Sequence, residues 1–274
     1  MGNIVAKRRF FRPTTTTASS WTPLWRAPCP AGLADRDATV SGPTPGENDN
    51  RNTPMTYDAP VPGREGADRN LWEASAQSYD AWIAEAFGDQ YAVNWTTLAR
   101  HMSPSLRVLD VGCGPGTLSL RLARRCQAVW GVDVTPEMIA VAEQKLAAEP
   151  ANACFQQADA CDLPFDDHTF DAVVSVNALQ AMDQPDKALG EMRRVLRPGG
   201  ELLLIAYCYG DSSLSENNSL LDWAVKYGGK TIWHSFTFDQ LVGLLEIREF
   251  DVVEARRIWE KPVVAFLRGK AAPA

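Results

Sequence analysis

Residues 107–125 read RVLDVGCGPGTLSLRLARR. Val108-Leu109-Asp110-Val111 is a short apolar, β-branched run of the kind a buried strand uses, and it ends at Gly112, Gly114 and Gly116 before a helical pattern begins. Glycine lets the backbone turn tightly and approach a ligand closely, because no Cβ intervenes, and the first turn of the following helix offers unpaired N–H groups to polar or anionic atoms. A strand, a glycine loop and a helix in that order point to a nucleotide-like cofactor.

Spacing separates the cofactors. The dinucleotide fingerprint is G-x-G-x-x-G with the pyrophosphate on the helix N-terminus, whereas this chain carries Gly-Cys-Gly-Pro-Gly with an aspartate two residues before the first glycine. The string fits the dinucleotide pattern poorly, which counts against an NAD-dependent oxidoreductase.

Asp110-Val111-Gly112-Cys113-Gly114-Pro115-Gly116 resembles the first motif of the class I S-adenosyl-L-methionine (SAM)-dependent methyltransferases, in particular the small-molecule group similar to the ubiquinone/menaquinone biosynthesis enzymes. The resemblance implies an α/β fold, a Rossmann-like three-layer sandwich on a mostly parallel seven-stranded sheet with a C-terminal antiparallel strand and N-terminal lid helices. It implies SAM as cofactor and S-adenosylhomocysteine as product, with Asp110, Gly112, Cys113, Gly114 and Gly116 around it.

Downstream, Ala128–Asp133 reads as a second buried strand ending in an acid, about twenty residues past the glycines, where a carboxylate accepts from both ribose hydroxyls. Asp133 is assigned that role, with Val134 beside it. Thr135-Pro136 supplies cap and first helical position for a helix over 136–148. The resemblance places Met138 on the adenine face; the competing reading is core filler. Ala153–Gln157 gives a third strand, and the following ADACDLPF, residues 158–165, is similar to the motif in which Asp159 accepts from the adenine amino group and the Ala160 N–H donates into the ring.

Phe170–Val176 is the fourth strand, and Asn177 and Ala178 at its carboxyl end sit where ligands gather in open α/β sheets, toward the methionine end of the cofactor. Many members of the resembled family carry a histidine near Gln180; this chain does not. A helix from Pro185 to the Arg197-Pro198-Gly199-Gly200 turn, a fifth strand over 201–206, a helix over 237–246 and strands over 250–259 and 263–268 complete the pattern. The segment 207–236 is expected to be a substrate-recognition insert, and His234, Tyr207 and Asp211 within it are the candidate general bases. The motif N/D-P-P-Y is absent after Val176, which disfavours DNA adenine and glutamine acceptors.

Before the first strand, Leu71, Trp72, Ser75, Ala76, Tyr79, Trp82, Ile83 and Phe87 recur at helical spacing, and Gly88 reads as a stop. By the resemblance this helix is a lid, with Trp72, Tyr79 and Trp82 facing substrate; they serve equally as anchors to the core. A second helix is expected around 91–101. Residues 1–66 hold half of the 18 prolines and little apolar periodicity, the composition of a disordered extension. Met55 opens a stretch of ordinary length for such a domain, so residues 1–54 are expected to be dispensable or a mis-assigned start. The domain itself is expected over 67–270.

The 274 residues carry a net charge of −7, which gives no electrostatic pull toward nucleic acid. The six cysteines show no metal-ligand spacing with the three histidines, so no metal is expected and the thiols read as reduced, in a cytoplasmic protein. The expected activity is SN2 methyl transfer to a small-molecule acceptor. A SAM-binding regulator without turnover remains the alternative, since the motifs certify a cofactor site only.

Overall fold

The computed structural model describes residues 69–213 and 234–272. The expected disordered extension and the middle of the expected insert lie outside the described residues. The chain runs α1 (Arg69–Ser75), α2 (Tyr79–Ala99), β1 (Arg107–Val111), α3 (Thr117–Ala123), β2 (Ala128–Asp133), α4 (Pro136–Ala148), β3 (Ala153–Gln157), β4 (Phe170–Val176), α5 (Pro185–Val195), β5 (Leu196–Tyr207), α6 (Phe238–Ile247), β6 (Phe250–Glu260) and β7 (Val263–Ala271).

The seven strands form one sheet in the order β3-β2-β1-β4-β5-β7-β6. Every pairing from β3 to β5 is parallel, and β7 is antiparallel to both β5 and β6. This is the mixed sheet with an antiparallel C-terminal strand that the sequence leads one to expect. Parallel strands covered by helices on both faces need apolar side chains on both faces. That requirement explains why Val108, Leu109 and Val111 of β1, and Val173 and Val174 of β4, are all fully buried. Edge strand β6 behaves differently: beyond buried Phe250, exposed and half-buried residues alternate, and Asp251, Glu254, Arg256 and Arg257 charge the edge against pairing with another sheet.

Two faces of core follow from this layering. One packs β-strand residues Leu109, Val132, Val173 and Leu204 against Leu189 and Met192 of α5 and Leu241 and Leu244 of α6. The other packs Val108, Val129, Val174 and Phe266 against Leu98 of α2, Leu122 of α3 and Ile139 of α4. Helix α6 starts on a capping box, with Thr237 Oγ1 accepting from Gln240 N–H while the Gln240 side chain accepts from Thr237 N–H.

The N-terminal helices differ from expectation in where they break. The interruption falls at residues 76–78, where Ser78 N–H bonds Ser75 O at 2.9 Å, and Gly88 stops nothing. α2 continues through it, with a kink at Phe87 (φ −138°, ψ 21°). A single glycine costs only about 1 kcal/mol in a helix, which the burial of Ile83, Asn94, Thr97 and Leu98 offsets.

Cys113, Cys126, Cys161 and Cys208 are buried free thiols. Cys154 is disulfide-bonded, which corrects the expectation of reduced thiols throughout. No helix among the described residues is long and apolar enough to cross a membrane.

Candidate cofactor and acceptor site

The strand order reverses between β1 and β4, and a crevice opens outside the carboxyl ends of strands at such a switch point. A cavity of about 450 Å³ lies there. It is walled by the loop after β1 (Gly112, Gly114), the end of β2 (Asp133, Val134, Thr135), Met138 of α4, the segment after β3 (Asp159, Ala160) and the turn after β4 (Asn177, Ala178). Trp72 and Tyr79 close it from the N-terminal helices.

The glycine loop takes its shape from left-handed backbone. Gly112, Gly114 and Gly116 have φ of 73°, 53° and 75°, a region that L-residues other than glycine enter only with strain. Gly112 also has no space for a side chain, since a Cβ there would stand 2.4 Å from Ala178 Cβ. Gly112 and Cys113 both donate backbone N–H bonds to Val132 O at 2.9 Å, which folds the loop back onto β2. Gly116 serves packing: a Cβ would meet Ala142 and Phe155 at 2.7 Å.

Asp133 is held by two backbone donors. Its Oδ2 accepts from Gly114 N–H at 2.9 Å and its Oδ1 from Thr135 N–H at 3.0 Å. Burial raises its pKa from the ordinary carboxylate value, and the Thr135 and Gly114 N–H groups pull the other way. Thr135 is the N-cap of α4 by its extended backbone, yet its side chain makes no capping bond. Asp133 accepts from the N–H of this N-cap residue itself, so the carboxylate braces the start of α4 as well as the glycine loop.

Asp110 sits below the loop rather than in the cavity wall. It is 1 % exposed, and Ser119 Oγ donates to its Oδ2 at 2.6 Å, tying α3 to β1. Burial pushes its pKa up to about 7, against the Ser119 hydrogen bond. The Cys113 side chain and Gly116 likewise lie off the cavity wall, although both belong to the loop that shapes it. Asp159 Oδ1 accepts from Cys161 N–H at 2.8 Å, which closes the turn that presents Asp159 and Ala160. Met138 is 2 % exposed, packs with Ala76 and Val141 under Trp72 and Tyr79, and still contributes to the wall. Met138 thus belongs to the core and to the cavity wall at once. Val134 is 45 % exposed and lines the same wall.

A second, small cavity of about 30 Å³ adjoins the first. Trp72, Tyr79, Asn177 and Ala181 line both, and Trp82, Phe87, Tyr207 and Gln180 line only the second. Of the three expected bases, Tyr207 alone reaches a cavity wall, with its hydroxyl donating to Gln90 Oε1 at 2.7 Å and its pKa pushed up by burial. Asp211 lines neither cavity; its Oδ2 accepts from Phe238 N–H at 2.8 Å at the start of α6. His234 also lines neither, donating its backbone N–H to Gln180 O at 3.2 Å and stacking its ring on Phe236. Gln180, Phe87, Tyr91 and Tyr209 are cavity residues that the sequence reading did not single out, because they come from segments read as connections or helix filler.

A latch joins the N-terminal helices to this site. Asp80 of α2 accepts from Thr117 Oγ1 at 2.8 Å and pairs with Lys145 Nζ of α4. The same ammonium donates to Pro115 O and to Thr117 Oγ1, both at 2.8 Å.

Residues 108–200 match the model of a methyltransferase domain family. The demethylmenaquinone methyltransferase of Thermus thermophilus is 40% identical over 112 residues, covering 40% of this chain and 50% of that one. The phosphatidylethanolamine N-methyltransferase of Cereibacter sphaeroides is 36% identical over 139 residues, covering 48% of this chain and 68% of the relative. The chain thus spans half the length of the first of these relatives. Among solved structures, a SAM-dependent methyltransferase from Aquifex aeolicus superposes with a TM-score of 0.58 at 17% identity, over 73% of this chain and 98% of that one, a likeness of fold.

Proposed function

The chain belongs to the class I SAM-dependent methyltransferases, and on that premise we propose that it transfers the cofactor's methyl group to a small-molecule acceptor. One observation carries the reading: a single cavity at the sheet's switch point is bounded by left-handed glycines, the Asp133 carboxylate and the Asp159-Ala160 turn. The donor set suits the cofactor. A carboxylate on the cavity wall matches ribose hydroxyls, glycines leave room for close backbone approach, and Met138 with Val134 offers an apolar wall to a purine face.

Bound SAM supplies a methyl group already activated on a sulfonium sulfur. The protein's task is then alignment and exclusion of water, for which near-attack geometry is the largest lever. Gly112, Asn177 and Ala178 would hold the methionine end, and Trp72 and Tyr79 would close over it from α1 and α2. Asp110 and Ser119 would keep the loop in place from below. We assign no base to Asp211 or His234, which line neither cavity.

The two relatives are named for different acceptors, demethylmenaquinone and phosphatidylethanolamine. The four free thiols support a cytoplasmic location, and the Cys154 disulfide is the observation that counts the other way. Calorimetric titration of the whole chain with SAM and S-adenosylhomocysteine tests the reading. Binding near micromolar, roughly −8 kcal/mol, is expected. A folded protein that binds neither ligand would refute it, and one that binds both yet methylates no member of a broad acceptor panel would favour a SAM-binding regulator.

A further inference from the structure

The small cavity beside the cofactor cavity is walled by aromatic rings from two distant parts of the chain. Trp72, Tyr79 and Trp82 follow one another with centroids 6.2 Å apart. Trp82 then meets Phe87 edge-on at 5.2 Å, Phe87 meets Tyr207 at 6.2 Å, and Tyr207 stacks on Tyr209 at 5.2 Å. Six rings thus run continuously around one space. Clustered aromatic faces attract a desolvated cation through their quadrupoles, and rings around a quaternary ammonium are the recurrent form of that recognition.

A buried polar atom adds a second, independent pointer. Gln180 is 4 % exposed, and its Nε2 donates to Asn177 O at 2.8 Å, which fixes the amide orientation. Its Oε1 is left buried with no hydrogen-bond partner, in the wall of the small cavity. An unpaired buried acceptor is costly, and a positive group beside it would relieve that cost through the negative end of the amide dipole.

The chemistry of attack narrows the class further. An oxygen acid needs a positioned base, and the described residues of this wall include no Asp, Glu, His or Lys. Burial pushes the phenols of Tyr79, Tyr207 and Tyr209 upward, away from service as bases. The volume of about 30 Å³ holds a few water-sized groups, less than an aromatic acceptor ring.

We propose that this cavity receives the nitrogen of a small tertiary amine, and that the product is a quaternary ammonium ion. The proposal rests on the methyltransferase reading above. The nitrogen lone pair forms the new N–C bond as the C–S bond breaks with its electron pair going to sulfur. The positive charge moves from sulfur to nitrogen; the amine enters as its free base, having left its proton to solvent, so the transfer step itself removes no proton. Among the described residues this wall offers rings and no carboxylate, imidazole or amine, which suits a transfer step that delivers positive charge to nitrogen without itself moving a proton.

The test uses the full chain saturated with S-adenosylhomocysteine, titrated with choline and with the uncharged isostere in which carbon replaces the quaternary nitrogen. Choline is expected to bind roughly ten-fold more tightly than the isostere. Trp82→Leu, which changes a residue lining only the small cavity, is expected to remove that preference while S-adenosylhomocysteine affinity stays unchanged. With SAM, N,N-dimethylethanolamine is expected to gain one methyl group by mass spectrometry. Equal binding of choline and the isostere, or binding of neither by protein that holds S-adenosylhomocysteine, would overturn the amine assignment and leave the transferase reading standing. Failure to bind S-adenosylhomocysteine would overturn both.

Discussion

Asp133 Oδ2 and the N–H of Gly114 are joined by a 2.9 Å hydrogen bond that ties the end of β2 to the middle of the glycine loop, 19 residues away. The carboxylate proposed to read the ribose is therefore also a strut of the loop that shapes the rest of the cavity. A change at Asp133 removes both functions at once.

Asp133→Ala is expected to weaken SAM binding roughly 10- to 100-fold, the scale of losing charge-assisted hydrogen bonds. Asp133→Asn keeps an acceptor for Gly114 N–H and should fall between. Calorimetry on both variants checks this; unaltered affinity in Asp133→Ala would remove the residue from the site.

Gly112→Ala combines a left-handed φ of 73° with a Cβ 2.4 Å from Ala178 Cβ. It should destabilise the fold by about 2–4 kcal/mol, strain and overpacking together. Gly114→Ala has the positive φ but open space around its Cβ, so about 1 kcal/mol is expected there. Urea melts of the two variants compare them directly, and equal losses would show that the Ala178 contact relaxes freely.

The Asp110 carboxyl, at about 7 against an ordinary 3.8, makes stability depend on pH. The folded chain keeps a proton that the unfolded chain releases above about pH 4, so this contribution is fully present below about pH 4 and is lost as pH rises through about 7. The difference amounts to about 4 kcal/mol. Asp110→Asn keeps an acceptor for Ser119 and should flatten the fall in stability over that window. An identical pH slope in variant and parent would assign the effect to other groups.

Lys145→Met cuts the latch from α4 to Asp80, Pro115 and Thr117. Both partners of the Lys145–Asp80 pair are partly exposed, so the stability cost should be about 1 kcal/mol or less. Faster amide exchange is expected in α1 and the first half of α2, with α5 and α6 unchanged. Uniform exchange across all helices would count against a local latch.

The order of the strands and helices, the glycine loop and the acid after β2 are written in local sequence, because each depends on short-range rules: β-branched runs, φ preference and capping. The helix break at 76–78 was less legible, since burial of a helix face outweighs one glycine's propensity. Two further facts depend on how the elements pack. Asp110 looks like a cavity residue until the Ser119 contact shows it below the loop. The aromatic wall joins residues 72–87 to Tyr207 and Tyr209, and the Tyr207–Gln90 hydrogen bond spans 117 positions.

The sequence by itself determined the α/β architecture and the cofactor family of this protein, since a strand-glycine-helix unit and a correctly spaced acid are contiguous signals. Only the tertiary structure decided which side chains wall the small cavity beside the one at the sheet's switch point. The N-terminal helices and the end of β5 share no local pattern, and their rings meet because the sheet carries Tyr207 beneath α2.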